Sequence, residues 1–209
     1  MLVKEIMNKS PKLINSNTKL CEAYEIMQKN GIRHLPVIEN GKLVGVVTDR
    51  DLRLATSRLA KKPFNPEDEV KKVMSSPVQT INANDPVEQA VRIMRELKIG
   101  CLPVIEGGEI VGLITVSDIL DAMLKLIGIN LPSGRLDLRM ENRPGQLAKL
   151  ANLLAEKNIN IHSILTYPEN GKRSRLILRV GTMEIRPLAK EICNLGIEVV
   201  WPPKISCVK

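Results

Sequence analysis

The sequence predicts an α+β fold in two parts, a duplicated unit followed by a smaller split βαβ module. Three observations lead there. A shift of 67 positions lays residues 4–52 on residues 71–119 without a gap, and 19 of those 49 positions are identical. Each copy reads as a helix, a two-stranded hairpin and a second helix. Beyond Gly128 the order changes to β-α-β-β-α-β. A unit of about 60 residues buries too little surface to stand alone, so the two copies are expected to pack on each other and to form two related clefts.

Taken in order, Val3–Met7 and Val70–Met74 read as single helical turns ahead of each copy. Leu20, Ala23, Tyr24 and Met27 recur at helical spacing, and Val87, Ala90, Val91 and Met94 repeat it. Thr18 is the expected cap of the first helix, and Gly31 its end. In Asp85-Pro86-Val87-Glu88, Asp is expected to cap, Pro to take the first turn and Glu to close the box. Leu35–Ile38 and Lys42–Val47 flank the turn Glu39-Asn40-Gly41, a hairpin signal; the second copy uses Gly107-Gly108 there. Second helices start near Thr48 and Thr115. Lys61–Pro66 and Gly128–Gly134 are linkers by their prolines, glycines and charge. This divides the chain into 1–60, 61–127 and 134–209. In the last part Arg135–Met140, Ile159–Leu165, Ser174–Val180 and Ile197–Val200 read as strands. Leu147, Leu150, Ala151 and Leu154 mark one helical face, and Ile185, Leu188, Ala189 and Ile192 another, with Pro187 in its first turn.

Composition narrows the function. No apolar run approaches the roughly 18–20 residues that span a bilayer, and the start shows no signal-peptide pattern, so a cytoplasmic location without membrane contact is expected. Cys21, Cys101, Cys193 and Cys207 form no CxxC and read as free thiols rather than metal ligands. The formal charge of +8 is uneven, with net +4 over 1–60, −2 over 61–128 and +6 over 129–209. That balance suits an anionic ligand or a solvated surface. Aromatic residues make up only 2% of the chain, which disfavours stacking platforms for nucleic acid. The two histidines, His34 and His162, fall in separate parts. No catalytic triad, phosphate loop or zinc spacing appears, so neither a catalytic residue nor a metal site is expected.

Thr48-Asp49-Arg50-Asp51 and Thr115-Val116-Ser117-Asp118 both fit T-x-x-D at a strand-to-helix junction. One reading is a capping box. The other is a nucleotide site, with donors at the helix start for phosphate and a carboxylate for a ribose diol. The copies differ nearby: Arg33-His34 and Asp49-Arg50 in the first stand against Gly100-Cys101 and Val116-Ser117 in the second. Arg33 and Arg50 could pair with phosphates, and Asp49 would oppose one if it pointed inward. Unequal sites are expected.

The duplicated h-P-V-h, the hairpin with Val-Gly and the closing T-x-x-D resemble a pair of cystathionine-beta-synthase (CBS) domains over about residues 1–127. The resemblance implies copies related by a pseudo-twofold axis, with clefts for adenosine nucleotides. It implies ribose contacts at Asp51 and Asp118 and hydroxyl contacts, to phosphate or ribose, at Thr48 and Thr115. Adenine would rest against backbone around Arg33-His34 and Gly100-Cys101, with Leu13 and Thr80 at the cleft mouth; Arg50 and Ser117 complete the expected set. In the tail, Asn142-Arg143-Pro144-Gly145-Gln146-Leu147 and Asn158-Ile159-Asn160-Ile161 resemble the ACT domain, a ferredoxin-like regulatory module. That implies an amino-acid site at Asn142, Gly145, Gln146, Leu147, Asn160 and Ile161, formed across a subunit interface, although many such modules only dimerise. Two CBS copies followed by one ACT domain resemble the acetoin-utilisation regulatory proteins. The expectation is a non-catalytic homodimeric sensor of AMP, ADP or ATP, acting on a partner protein the sequence does not name. A DNA-binding regulator, motivated by Lys172-Arg173-Ser174-Arg175, and a nucleotide hydrolase are the alternatives.

Overall fold

The computed structural model of the chain describes residues 1–57, 61–169 and 171–205. These fall into two compact units, Met1–Leu120 and Asp121–Lys209, each described by itself below.

The first unit holds both copies. Copy one contains β1 (Ile14–Asn15), α2 (Leu20–Asn30), β2 (His34–Glu39), β3 (Lys42–Thr48) and α3 (Asp49–Ala55); the short α1 (Val3–Ile6) precedes it. Copy two repeats this with a 3-10 turn at Val70–Lys72, then β4 (Ile81–Asn82), α4 (Val87–Leu97), β5 (Cys101–Glu106), β6 (Glu109–Thr115) and α5 (Val116–Ile127), within which the boundary between the units falls. Each sheet has three strands, with the first parallel to the second and the second antiparallel to the third. The apolar faces read from the sequence are buried: Leu20, Ala23 and Met27 in copy one, Val87, Ala90 and Met94 in copy two. Tyr24 only borders the first core, and Val91 is exposed.

The copies interlock. Val3, which precedes copy one, packs in the core of copy two, and Val70, which precedes copy two, packs in the core of copy one. Asn8 pairs with Leu113 on β6, and its repeat equivalent Ser75 pairs with Val46 on β3. Val46 and Leu113 are themselves equivalents, and they cluster with Cys101 and Val78. Each contact recurs with the copies exchanged, which is what a twofold relation requires. The Val-Gly of each hairpin follows from this crossing. A Cβ at Gly45 would overlap the Met74 side chain, and one at Gly112 would meet Met7 and lie 2.9 Å from the Asn8 carbonyl.

Helix starts correct two expectations. Lys19, not Thr18, occupies the cap of α2, and the Glu22 carboxylate accepts its backbone N–H at 3.3 Å. Pro86 rather than Asp85 caps α4; the Asp85 carboxylate instead accepts the Asn82 N–H at 3.1 Å, closing the turn before the helix. Gly31 does end α2, in the left-handed region at φ +62°.

The second unit contains β7 (Gly134–Glu141), α6 (Gln146–Glu156), β8 (Ile161–Glu169), β9 (Arg173–Val180), α7 (Ile185–Asn194) and β10 (Glu198–Trp201). The sheet order is β10-β7-β9-β8, antiparallel throughout. This is the ferredoxin-like arrangement expected from the sequence. Leu136, Leu138, Leu176, Leu178, Leu150, Leu154, Leu188 and Ile192 share one core. Leu147 lies outside it at 46% exposure, and Leu153, which the pattern did not include, is partly buried against it. The alternate β7 residues carry charge. Asp137, 7% exposed, is held by Arg175 through Nε at 2.5 Å and Nη2 at 2.9 Å. Cys193 is disulfide-bonded, which overturns the free-thiol expectation for that residue; Cys21 and Cys101 are free, and Cys207 lies outside the described residues. Among the described residues no helix is long and apolar enough to cross a membrane.

Candidate functional site: the cleft between the repeats

Both T-x-x-D motifs form the same closed cap. In copy one the Thr48 hydroxyl donates to Asp51 Oδ2 at 2.7 Å, the Thr48 N–H donates to the same oxygen at 2.9 Å, and the Asp51 N–H donates back to Thr48 Oγ1 at 3.2 Å. In copy two the corresponding distances are 2.7, 2.7 and 3.4 Å. The capping reading is therefore correct for both copies, and it restricts the other reading. Each threonine has committed its only hydroxyl proton, so Oγ1 can accept from a ribose hydroxyl but cannot donate to a phosphate. Asp51 Oδ1 and Asp118 Oδ1 make no hydrogen bond among the described residues and can accept from a diol.

A cleft of about 980 Å³ joins the two motifs. Arg33, His34, Thr48, Arg50, Asp51, Gly100, Cys101, Thr115 and Ser117 all line it, so most of the expected nucleotide set converges on one space rather than two separate ones. The His34 imidazole is one of the groups that line it. A Cβ at Gly100 would lie 2.9 Å from His34 Nε2, which is why copy two has glycine where copy one has Arg33. Burial, and then Arg33, lowers the His34 pKa below its ordinary value, while Asp51 and Asp118 both pull it upward. The ring thus lies within electrostatic reach of both carboxylates and is predominantly neutral at pH 7. Burial, with Asp51 nearby, pushes the Cys101 thiol up to about 12, so it is an inert wall.

Asp49 also lines the cleft, but its charge is spoken for. Arg53 Nε donates to Asp49 Oδ1 at 3.0 Å, and the Arg53 guanidinium lies 5.8 Å from the centre of the Tyr24 ring. The opposition to phosphate expected from Asp49 is therefore largely neutralised. The side chains of Arg33, Arg50 and Lys98, all on the lining, have no hydrogen bond or ion pair among the described residues.

Three expected positions fall elsewhere. Leu13 is 38% exposed and does not line the cleft, and Asp118 does not line it either, although Thr115 and Ser117 do. Thr80 lines a separate open groove of about 590 Å³ with Lys42, Pro77 and Ile105. That groove is lined by the copy-one hairpin residues Lys42, Leu43 and Val44 as well as by copy two. The sequence reading also missed lining residues. Ser75, Pro77, Val78 and Gln79 form one wall, and Leu97, Lys98 and Ile99 another. Their equivalents one repeat earlier, Asn8, Ser10, Pro11 and Lys12, do not line it, so the cleft is lopsided. The available signal was the substitution of Gly31 by Lys98.

In the second unit the expected amino-acid site divides. Asn142, Gly145, Gln146 and Leu147 follow the end of β7, where Glu141 pairs with Arg173. Asn160 and Ile161 sit at the other end, where Ile161 pairs with Val180 and Val180 with Gly134. The length of β7, about 25 Å at ~3.4 Å per residue, separates the two halves. A single copy of this unit does not bring them together. The Asn142 N–H donates to the Lys172 carbonyl at 2.9 Å, and the Asn160 carbonyl accepts from Gly181 at 2.9 Å.

Comparison with known proteins agrees with this architecture. The CBS domain family matches residues 3–58 and 70–125, more than half of the chain. The chain is a CBS-domain protein. The ACT domain family matches residues 134–196, so the tandem CBS domains are followed by an ACT domain. A CBS domain-containing protein of Dictyostelium discoideum is 39% identical over 140 residues, covering 61% of this chain and 94% of that protein. L-aspartate semialdehyde sulfurtransferase of Methanocaldococcus jannaschii is 33% identical over 120 residues, 56% of this chain but only 22% of the enzyme. Two solved structures are similar to the CBS pair. The CBS domain pair of protein MJ0100, in complex with 5′-methylthioadenosine and S-adenosyl-L-methionine, is 30% identical with a TM-score of 0.53, covering 59% of this chain and 95% of that one. A Vibrio cholerae protein assigned to acetoin utilization (AcuB) is 31% identical with a TM-score of 0.53, covering 62% and 95%.

Proposed function

We propose that this CBS-domain protein is a non-catalytic cytoplasmic regulator of the acetoin-utilisation type, which senses AMP, ADP or ATP in the cleft of its CBS pair. The observation that carries the reading is the convergence of both T-x-x-D motifs on one cleft. There, Asp51 keeps an oxygen for a ribose, Thr115 and Ser117 bring the second motif to the lining, and unpaired cations are available for phosphate. The complex of the MJ0100 CBS pair with two adenosine compounds supports the ligand class, and the AcuB likeness supports the type. The ACT domain would add an amino-acid site between two copies of the chain, since its two halves lie at opposite ends of one sheet. The output would be a change in domain arrangement felt by a partner protein. The DNA-binding alternative weakens, because Arg173 pairs with Glu198 at 3.2 Å and Arg175 is held by Asp137.

Calorimetry with AMP, ADP and ATP tests the proposal. Hydrogen bonds to a charged group are worth roughly 1.5–3 kcal/mol, so Asp51→Ala and Asp118→Ala should each weaken binding about 10- to 100-fold. Absence of heat with all three nucleotides at millimolar concentration rejects it.

A further inference from the structure

Lys98 ends α4 in the left-handed region at φ +55°, and its repeat equivalent Gly31 ends α2 at φ +62°. Glycine is the residue that reaches this conformation without steric cost, and helices most often use it there. Copy two holds a lysine at that place instead. Residues kept in sparsely populated backbone regions concentrate at ligand clamps. Lys98 lines the cleft and Gly31 does not. Arg33 and Arg50 line the same space. None of the three cations has a hydrogen bond or ion pair among the described residues, while Asp49 is neutralised by Arg53 and Asp51 has one oxygen in its cap. An anion in the cleft would relieve this excess of positive charge, and a neutral or cationic ligand would not. A cation also favours a helix C-terminus, but Arg95 already supplies one in the last turn of α4.

We infer that Lys98 is a specificity-determining residue of the cleft, whose ammonium selects phosphate-bearing adenosine ligands over uncharged or sulfonium-bearing ones. This rests on the adenosine reading above and deepens it. The two are tested together by calorimetry on the full-length chain with ADP and with 5′-methylthioadenosine, which shares the adenosine and lacks the phosphates. Lys98→Gly restores the residue used in copy one, Lys98→Met removes the charge while keeping an unbranched stem, and Lys98→Arg keeps the charge. Charge-assisted hydrogen bonds are the strong ones, so ADP affinity should fall about tenfold in Lys98→Gly and Lys98→Met and stay within about threefold in Lys98→Arg. Affinity for 5′-methylthioadenosine should change less than about twofold, because no phosphate is present to meet the ammonium. Lys98→Gly should melt no lower than the wild type, since glycine relieves the backbone. Equal loss for both ligands, or no loss for ADP, overturns the assignment. Wild-type protein that binds 5′-methylthioadenosine and not ADP also overturns it while leaving the adenosine reading intact. Wild-type protein that binds neither of these, nor AMP or ATP, removes both.

Discussion

Thr48 and Thr115 show how a local motif constrains chemistry. The hydroxyl that looks available for phosphate in the sequence is already donating to its own aspartate, at 2.7 Å in both copies. In the proposed phosphate recognition, the threonine hydroxyls therefore drop out as donors, which leaves the cations Arg33, Arg50 and Lys98 and the Ser117 hydroxyl on the lining. His34 is the other residue that decides the cleft. Its pKa is lowered in the folded chain, chiefly by burial and then by Arg33. A group whose folded pKa lies below its unfolded value binds its proton more readily when unfolded. Above pH 6.5 the ring is neutral in both states and contributes no pH dependence. As pH falls from 6.5 through the folded pKa, the unfolded state is increasingly favoured; below that pKa the loss is constant. His34→Asn should therefore reduce the drop in urea midpoint between pH 7.5 and pH 5.5. An equal drop in wild type and variant would show that the ring carries no such linkage.

The single turns and hairpins depend on one another across the pseudo-twofold axis. α1 lies in the core of copy two through Val3, and the 3-10 turn in the core of copy one through Val70. Each crossing places a methionine over the glycine of the opposite hairpin. The two glycines should not tolerate change equally. At Gly45 the obstruction is the end of the flexible Met74 side chain, whereas at Gly112 it includes the Asn8 backbone carbonyl. Overpacking a tight site costs about 1–3 kcal/mol, so Gly112→Ala should lie in that range and Gly45→Ala below it. Urea denaturation of the full chain measures both. Equal costs would mean that the crossing segment moves as freely on one side as on the other.

At the scale of the molecule, exposed apolar surface on α5 points to self-association. The sequence places apolar residues after both T-x-x-D motifs, at Leu52, Leu54 and Ala55 and at Ile119, Leu120, Met123 and Leu124; of these Leu52 and Ile119 are buried and fill the cores. Leu54 and Leu120 are both 59% exposed, Met123 48% and Leu124 42%. Residues three and four apart share a helix face, and such a face on a small domain usually meets a partner surface. The expected amino-acid site of the ACT domain, if the proposal holds, adds an independent reason for a second copy, since one copy leaves its two halves at opposite ends of the sheet. Light scattering should give twice the 23.3 kDa chain mass, and Leu120→Glu with Leu124→Glu should lower it toward one chain. A monomer at micromolar concentration rejects the homodimer. An unchanged dimer in the double variant moves the contact to the ACT domain.

The repeat, the hairpins, the T-x-x-D caps and the βαββαβ order were legible from the sequence because they are written in local spacing: period 3.6 for helices, period 2 for strands, and fixed offsets for caps and turns. Most of the candidate nucleotide set was legible for the same reason, since Thr48, Asp51 and Thr115 sit at element junctions. What local spacing does not encode is where a segment goes after leaving its element. Thr80 and Leu13 lie outside the cleft, and Ser75, Pro77, Val78 and Gln79 enter it, because the segment after Val70 crosses from one copy to the other. The merging of the clefts, the neutralisation of Asp49 by Arg53 and the placing of Lys98 on the lining are likewise long-range outcomes. They depend on how the two copies pack, and only the tertiary structure decides that.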